Sequence, residues 1–192
     1  MTYDVVKYGG TSGVLIPRSP PRFSDLIVTG PLPWVDVRAH GATGDGVTDD
    51  RAAFPSALAA GNAVVVPAGT YKLGSQLAIP APTTLYCDSG VTLQIAATGG
   101  VDAITIANSG ALIGSGLGNS ATAITVLAAA NITRAITNAD KTGAQQYCTF
   151  DGFNITVNAG ATVSVAVVDF VAVFMQSRLS NITIDCNNAV GP

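Results

Sequence analysis

The side chains of this 192-residue chain that could do chemistry are twelve acidic residues, nine lysines and arginines, three cysteines and one histidine. Every acidic residue is an aspartate. Two carboxylates about 5 to 9.5 Å apart can cleave an acetal, one as acid and the other as nucleophile or base. Several carboxylates around a calcium ion, beside an arginine or lysine base, can instead drive an elimination. After residue 73 the candidates for either set are Asp88, Asp102, Asp140, Asp151, Asp169 and Asp185, with Arg134, Lys141 and Arg178. Each aspartate also has a structural reading, because its short carboxylate hydrogen-bonds local backbone in turns. Cys87, Cys148 and Cys186 form an odd set without CxxC spacing. That supports neither a disulfide framework nor a zinc site, and they read as small buried apolar residues. No metal or other cofactor is expected.

The elements that must position these groups belong to an apolar, turn-rich chain. Charged residues make up 11% and hydrophobic residues 48%, with a mean hydropathy of +0.42. A surface so poor in charge is unusually apolar or covered by partners. The most apolar stretch, Val163 to Met175, is too short for a membrane span and is broken by Asp169, so a buried strand pair suits it better. Residues Met1 to Lys7 lack the basic flank and apolar run of a secretory signal, so an export signal was removed or none was needed. A net charge of −3 with scattered cations offers no basic stripe to a phosphate backbone, which argues against nucleic acid.

Residues 1–33 alternate short apolar runs with prolines at Pro17, Pro20, Pro21, Pro31 and Pro33, which deny donors to a long sheet. They read as an extended N-terminal arm. Residues 34–73 form a second region, in which Val47 to Gly61 reads as one helix with Thr48 as N-cap and Gly61 as stop. Asp49 and Asp50 suit its positive end, and Phe54, Ala57 and Leu58 share a face. Pro55 objects, and predicts a kink or two short pieces. Residues 74–192 show only short alternating strands such as Val91 to Ile95, Ile104 to Ile106 and Ile124 to Leu127, between Gly, Asn and Pro turns. Such a run means a sandwich, a barrel or a solenoid.

Internal similarity selects among these. Residues 148–158 overlay 177–187 so that Phe150 meets Leu179, Phe153 meets Ile182, Ile155 meets Ile184 and Val157 meets Cys186. Polar Asn154 meets Thr183 and Thr156 meets Asp185. Successive coils of a β-helix stack in this way, with alternate residues inward. The earlier strands follow no fixed period, so irregular loops must interrupt the coils. Ile155, Ile182 and Ile184 are expected inside, and Phe150, Phe153, Phe170 and Phe174 in the core.

The run from Trp34 through His40, Gly41, Gly44, Asp45, Gly46 and Thr48 to Asp50, followed by Val64 to Leu73 with Pro67 and Gly69, resembles the N-terminal signature of pectate-lyase-superfamily β-helices. Polygalacturonases, family 55-type glucanases and many bacteriophage tailspikes open this way. The resemblance covers about forty residues and implies an all-β fold: a right-handed parallel β-helix with a short N-terminal capping helix. In it Gly44 and Gly46 take backbone angles closed to other residues, and the helix closes one end of the solenoid. Pro67 and Gly69 suit a turn into the first coil. The sequence departs from the family pattern at Pro55 and at Arg38-Ala39-His40, where an aromatic commonly precedes the glycine. His40 belongs to the capping motif and reads as a cap residue with a satisfied hydrogen bond.

Activity of the polygalacturonase kind would need clustered aspartates with a histidine and an arginine-lysine pair, and those motifs are absent. In the stacked register Asp151 lies over Ser180 and Asp185 under Thr156, so no carboxylate pair forms there. The reserve glycan-contact surface is the one bearing Asp151, Arg178 and Asp185. Aromatic platforms for sugars are scarce, at 6% of residues. What the resemblance implies is a bacteriophage tailspike or tail-fibre component in the virion, contacting other tail proteins and a host surface polysaccharide. The alternative is a secreted polysaccharide-degrading enzyme, a glycoside hydrolase or polysaccharide lyase. By analogy with tailspikes the assembly is a homotrimer. Residues 1–33 then anchor to the virion or fold back as a flap. Residues 187–192 supply no cap for a last coil, so a further region or partner chains are expected to cover it.

Overall fold

The structure, a computed structural model, describes residues 3–7, 13–17, 34–116, 121–140, 147–170 and 177–186. Residues 18–33, Lys141, Phe174 and 187–192, each part of an expectation above, lie outside the described residues. The chain divides into two units, Met1–Leu32 and Pro33–Pro192. In the first, β1 (Tyr3–Lys7) and β2 (Gly13–Pro17) pair antiparallel, with Val5 opposite Leu15. Two short segments of the arm thus pair as strands.

The second unit opens with β3 (Val35–Asp36), a 3-10 turn (Val37–His40), β4 (Asp45–Asp49), a second 3-10 turn (Asp50–Ala52) and helix α1 (Ala53–Ala60). The strands that follow are β5 (Ala63–Val66), β6 (Gly69–Leu73), β7 (Leu77–Ile79) and β8 (Thr84–Cys87). Next come β9 (Val91–Ile95), β10 (Val101–Ile106), β11 (Ala111–Ile113) and β12 (Thr122–Val126). The last are β13 (Asn131–Asn138), β14 (Thr149–Val157), β15 (Thr162–Asp169) and β16 (Arg178–Cys186).

Every described pairing in this unit is parallel, and strands recur in threes. β5, β8 and β11 lead to the first half of β14, while β6, β9 and β12 lead to its second half. β7, β10, β13 and β15 form the third sheet. The result is a parallel β-helix of about five coils. Alternation puts every second residue inside, so Val64, Leu85, Leu112 and Phe150 stack as one buried column, and Leu73, Ile95, Val126 and Val157 as another. Each such side chain contributes about 1.5–3 kcal/mol by leaving water. Phe150 and Phe153 also stack on each other, with centroids 5.0 Å apart.

The register read from residues 148–158 and 177–187 holds: Phe150 pairs with Leu179, Asp151 with Ser180, Ile155 with Ile184 and Thr156 with Asp185. Its consequence for burial differs along β16. Ile155 is 1% exposed, Ile182 is half-buried, and Ile184 is 46% exposed rather than inside. Cys186 is likewise exposed, whereas Cys87 and Cys148 are buried as expected. Among the described residues β16 pairs with β14 alone, so no further coil covers its inward row. Among the described residues β15 is also an edge strand, and Val165 there is exposed, so the expected burial of Val163 to Met175 is only partial as far as Phe170, and residues 171–175 lie outside the described residues.

The capping helix departs from the expected single run. Residues 45–49 are strand, and Asp49 rather than Thr48 caps the turn that follows, accepting from Arg51 N at 3.1 Å. Thr48 is held elsewhere: its N–H and hydroxyl both donate to Asp45 at 2.8 Å. Pro55 is the third residue of α1, where a missing N–H has no intrahelical acceptor to lose. The helical run therefore comes as two short pieces, the 3-10 turn and then α1, which is one of the two outcomes that Pro55 predicts. Phe54, Ala57 and Leu58 are buried as expected, and Phe54 meets Tyr71 edge-on at 5.9 Å. Gly44 takes a φ of 69°, and an added Cβ would press within 2.9 Å of the Tyr71 ring.

Candidate functional surface

The first polar constellation sits at the corner where the chain turns between the two halves of β14 and β16. Gly152 and Asn181 occupy that corner on successive coils with φ of 82° and 51°. A Cβ on Gly152 would come within 2.7 Å of the Gly114 carbonyl, so the neighbouring coil also demands glycine there. Beside this corner Asp151 Oδ1 accepts from Ser180 Oγ at 2.8 Å and from Asn181 Nδ2 at 2.9 Å. Arg178 Nε in turn donates to Ser180 Oγ at 3.0 Å. The hydrogen bond from Ser180, helped by Asn181 and by the Arg178 charge, holds the Asp151 carboxyl below its ordinary range. An aspartate kept ionised in this way is an acceptor, not the proton donor that glycoside cleavage requires.

The structure thus brings Asp151 and Arg178 together and leaves Asp185 apart. Asp185 lies beyond the Asn181 bend, on the outer face of the second sheet half, in one row with Lys72, Gln94, Thr125 and Thr156. No carboxylate pair forms across that register.

A residue absent from the sequence reading shares the outer row of Asp151. Val65, Tyr86, Ile113, Asp151 and Ser180 stand in register on successive coils, pointing away from the buried column of Val64, Leu85, Leu112 and Phe150. Tyr86 is 42% exposed, one of few large aromatic surfaces on this unit. The signal that could have found it is register: once β8 is laid on β5 and β11, position 86 must face outward.

A second constellation lies on the third sheet. Arg134 donates to Asp169 Oδ2 at 2.5 Å and to Asp102 Oδ1 at 3.2 Å, joining three successive coils. The Asp169 hydrogen bond foremost raises the Arg134 pKa, which favours the charged form of the guanidinium. Near the cap, Asp50 is buried and accepts from the N–H groups of Thr43 at 2.6 Å and Gly44 at 3.2 Å. His40 Nδ1 lies 3.0 Å from Ser56 Oγ, which gives it the satisfied hydrogen bond expected of a cap residue. Among the described residues no group of three or more His, Cys or Asp side chains could hold a metal ion, and no helix is long and apolar enough to cross a membrane.

A family profile described as rhamnogalacturonase A/epimerase, pectate lyase-like, matches residues 34–190. Over 51 residues the chain is 45% identical to the preneck appendage protein of Bacillus phage PZA and to the pre-neck appendage protein of Bacillus phage phi29. Identity to the corresponding protein of Bacillus phage B103 is 41% over 51 residues. In each case the match takes in 27% of this chain and 6% of the phage protein. The crystal structure of PfbA, a surface adhesin of Streptococcus pneumoniae, aligns over 71% of this chain and 37% of that one. Its identity is 19% and its TM-score 0.32, too low to carry an argument.

Proposed function

This chain belongs to the rhamnogalacturonase A/epimerase, pectate lyase-like family, and from that premise we propose that it is a bacteriophage tailspike or tail-fibre component that recognises a host surface glycan. The observation that carries this reading is the 45% identity to pre-neck appendage proteins of two phages, within a chain whose β-helix family matches from residue 34 onward. The geometry favours binding over cleavage: Asp151 is committed to Ser180 and Asn181, and Asp102 and Asp169 are both committed to Arg134. On this reading the protein resides in the virion. It assembles as a homotrimer through its apolar outer flanks, and residues 1–33 anchor it to other tail proteins.

Adsorption competition tests the proposal. The purified chain, added to host cells before the phage that encodes it, is expected to lower the adsorption rate several-fold and to be found in purified virions by mass spectrometry. Absence from virions together with unchanged adsorption overturns it. Release of new reducing ends or unsaturated uronates from host polysaccharide would redirect the reading to an enzyme. Light scattering of the intact protein reports the oligomer, and a monomer mass contradicts the trimer.

A further inference from the structure

We propose that the open edge of β16 is a self-association site, where a second copy of this chain pairs its own β16 antiparallel about a two-fold axis, tail to tail. Among the described residues β16 has β14 on one side and no strand on the other. Its inward row of Leu179, Ile182, Ile184 and Cys186 is exposed or half-buried, so an apolar strip and a line of backbone donors and acceptors lie open together. In an extended strand the side-chain direction and the hydrogen-bonding direction alternate together. Arg178, an outward residue, gives its N–H to the Cys148 carbonyl next to β14. The backbone groups turned to the open edge are therefore those of the inward residues.

Residue types choose the register. Directly opposite residues of an antiparallel pair point to the same face. Asn181, with its φ of 51°, is the corner of β16, and the alternation shifts by one residue there: Arg178 and Ser180 point outward before it, Thr183 and Asp185 after it. Setting Arg178 opposite the partner's Asp185 therefore sets Leu179 opposite the partner's Ile184 and Ser180 opposite the partner's Thr183, and the two-fold repeats all three pairs. Outward residues then meet outward ones, and inward residues meet inward ones. Arg178 and Asp185 are the only charged residues of the strand, and both are exposed. Leu179 and Ile184, whose backbone groups face the edge, fall on the hydrogen-bonded positions, while the ion pair and the hydroxyl pair take the positions where side chains approach more closely. Sliding the partner by one residue sets inward rows against outward rows, and sliding it by two separates both ion pairs.

Charge complementarity of the strand with itself favours a second copy over a foreign strand, which would have to supply the same alternation and both opposite charges. A head-to-tail arrangement offers β16 no matching row, because the opposite end of this unit is closed by α1, with Phe54, Ala57 and Leu58 buried. The edge is also separate from the outer flanks used by side-by-side association. Tail-to-tail pairing therefore doubles whatever mass the chain otherwise has.

Sedimentation velocity of the 192-residue chain at low salt, over a wide range of concentration, tests the pairing. The mass is expected to double as concentration rises. Asp185→Arg or Arg178→Asp alone sets like charges opposite each other at both ends of the paired strands, and each is expected to weaken the doubling about tenfold. The variant carrying both changes faces opposite charges again and is expected to recover wild-type pairing to within about threefold, a rescue that damage to the fold would not give. Asp185→Arg leaves the hydrogen bonds among Asp151, Arg178, Ser180 and Asn181 untouched, so it stays informative even where Arg178→Asp disturbs that corner. A mass that does not change with concentration overturns the proposal and assigns the edge to a further coil or a different partner. Doubling that survives Asp185→Arg overturns it in favour of the outer flanks, and a double variant no better than the single ones overturns the register.

Discussion

Strands β14 and β16 carry matching inward residues and meet opposite surroundings. Phe150 is fully buried and Ile155 is 1% exposed, while their partners one coil on, Leu179 and Ile184, are 43% and 46% exposed. The sequence pattern is the same in both strands. Burial in a solenoid is conferred by the next coil and not by the residue, because each strand can hide its inward row only between two neighbours. β14 has β11 and β12 on one side and β16 on the other, whereas β16 has β14 alone among the described residues.

The widest separation between stacked and edge coils is expected in thiol chemistry. Cys87 is fully buried, and burial pushes its thiol far up from its ordinary range, so it has almost no thiolate to react. Cys186 on β16 is exposed. With a maleimide at pH 7, Cys186 should react roughly a thousandfold faster than Cys87, which waits for local opening. Similar rates, followed by peptide mass spectrometry, would mean that β16 is as well covered as β8.

In stability, Phe150→Ala should cost about 3–5 kcal/mol through the lost stack with Phe153 and the cavity left behind. Leu179→Ala, in the same column, should cost less than about 1 kcal/mol. Urea denaturation of both variants measures the difference. Equal losses would show that some partner already covers the inward row of β16.

The corner glycine sharpens the comparison within one coil. Gly152→Ala forces a side chain into a left-handed backbone and against the Gly114 carbonyl, a loss of about 2–3 kcal/mol in the same assay. Asn181→Ala, at the same corner one coil on, should cost about 1 kcal/mol, since asparagine tolerates that backbone and its Nδ2 bond to Asp151 is lost.

The smallest effect concerns pH. The carboxyl of Asp151 is lowered in the folded chain, so its contribution is fully present above the ordinary value of 3.8 and is lost as pH falls through the lowered one. Its side chain is well solvated, and the net effect of its two hydrogen bonds is about 1 kcal/mol. Between pH 5 and pH 2.5 the wild type should lose that margin while Asp151→Asn, already lacking it, stays flatter. Parallel profiles would place the acid sensitivity elsewhere.

Much of the scaffold was legible because it depends on local backbone demands and a short repeat. Gly44 needs its positive φ whatever surrounds it, and the pairing of 150 with 179 shows in residue types alone. Asp151 over Ser180 followed directly from that register. What escaped the sequence depends on contacts between distant segments. Thr48 reads as an N-cap until Asp45 takes its hydroxyl and Asp49 takes the cap. Tyr86 reads as one more strand residue until β5 and β11 settle on either side of it. The bridge from Asp102 through Arg134 to Asp169 joins strands whose loops differ in length, so no fixed spacing announces it. Ile184 carries an inward pattern in full, and a pattern says nothing about whether another coil lies beyond.

The stacking of each strand on the next coil also sets the order in which the molecule can fold. Val64 waits for Leu85, Leu85 for Leu112, Leu112 for Phe150 and Phe150 for Leu179, and no described β-helix strand needs a partner further off than its neighbouring rung. Loop closure is therefore paid in short, similar instalments instead of one long search. Structure can nucleate on any well-packed rung and zip outward in both directions, with a rate set by the least stable single junction. The junction with the longest excursion, between Leu112 and Phe150, is where a kinetic pause is expected, and partly zipped chains would accumulate with their coils complete on one side of it.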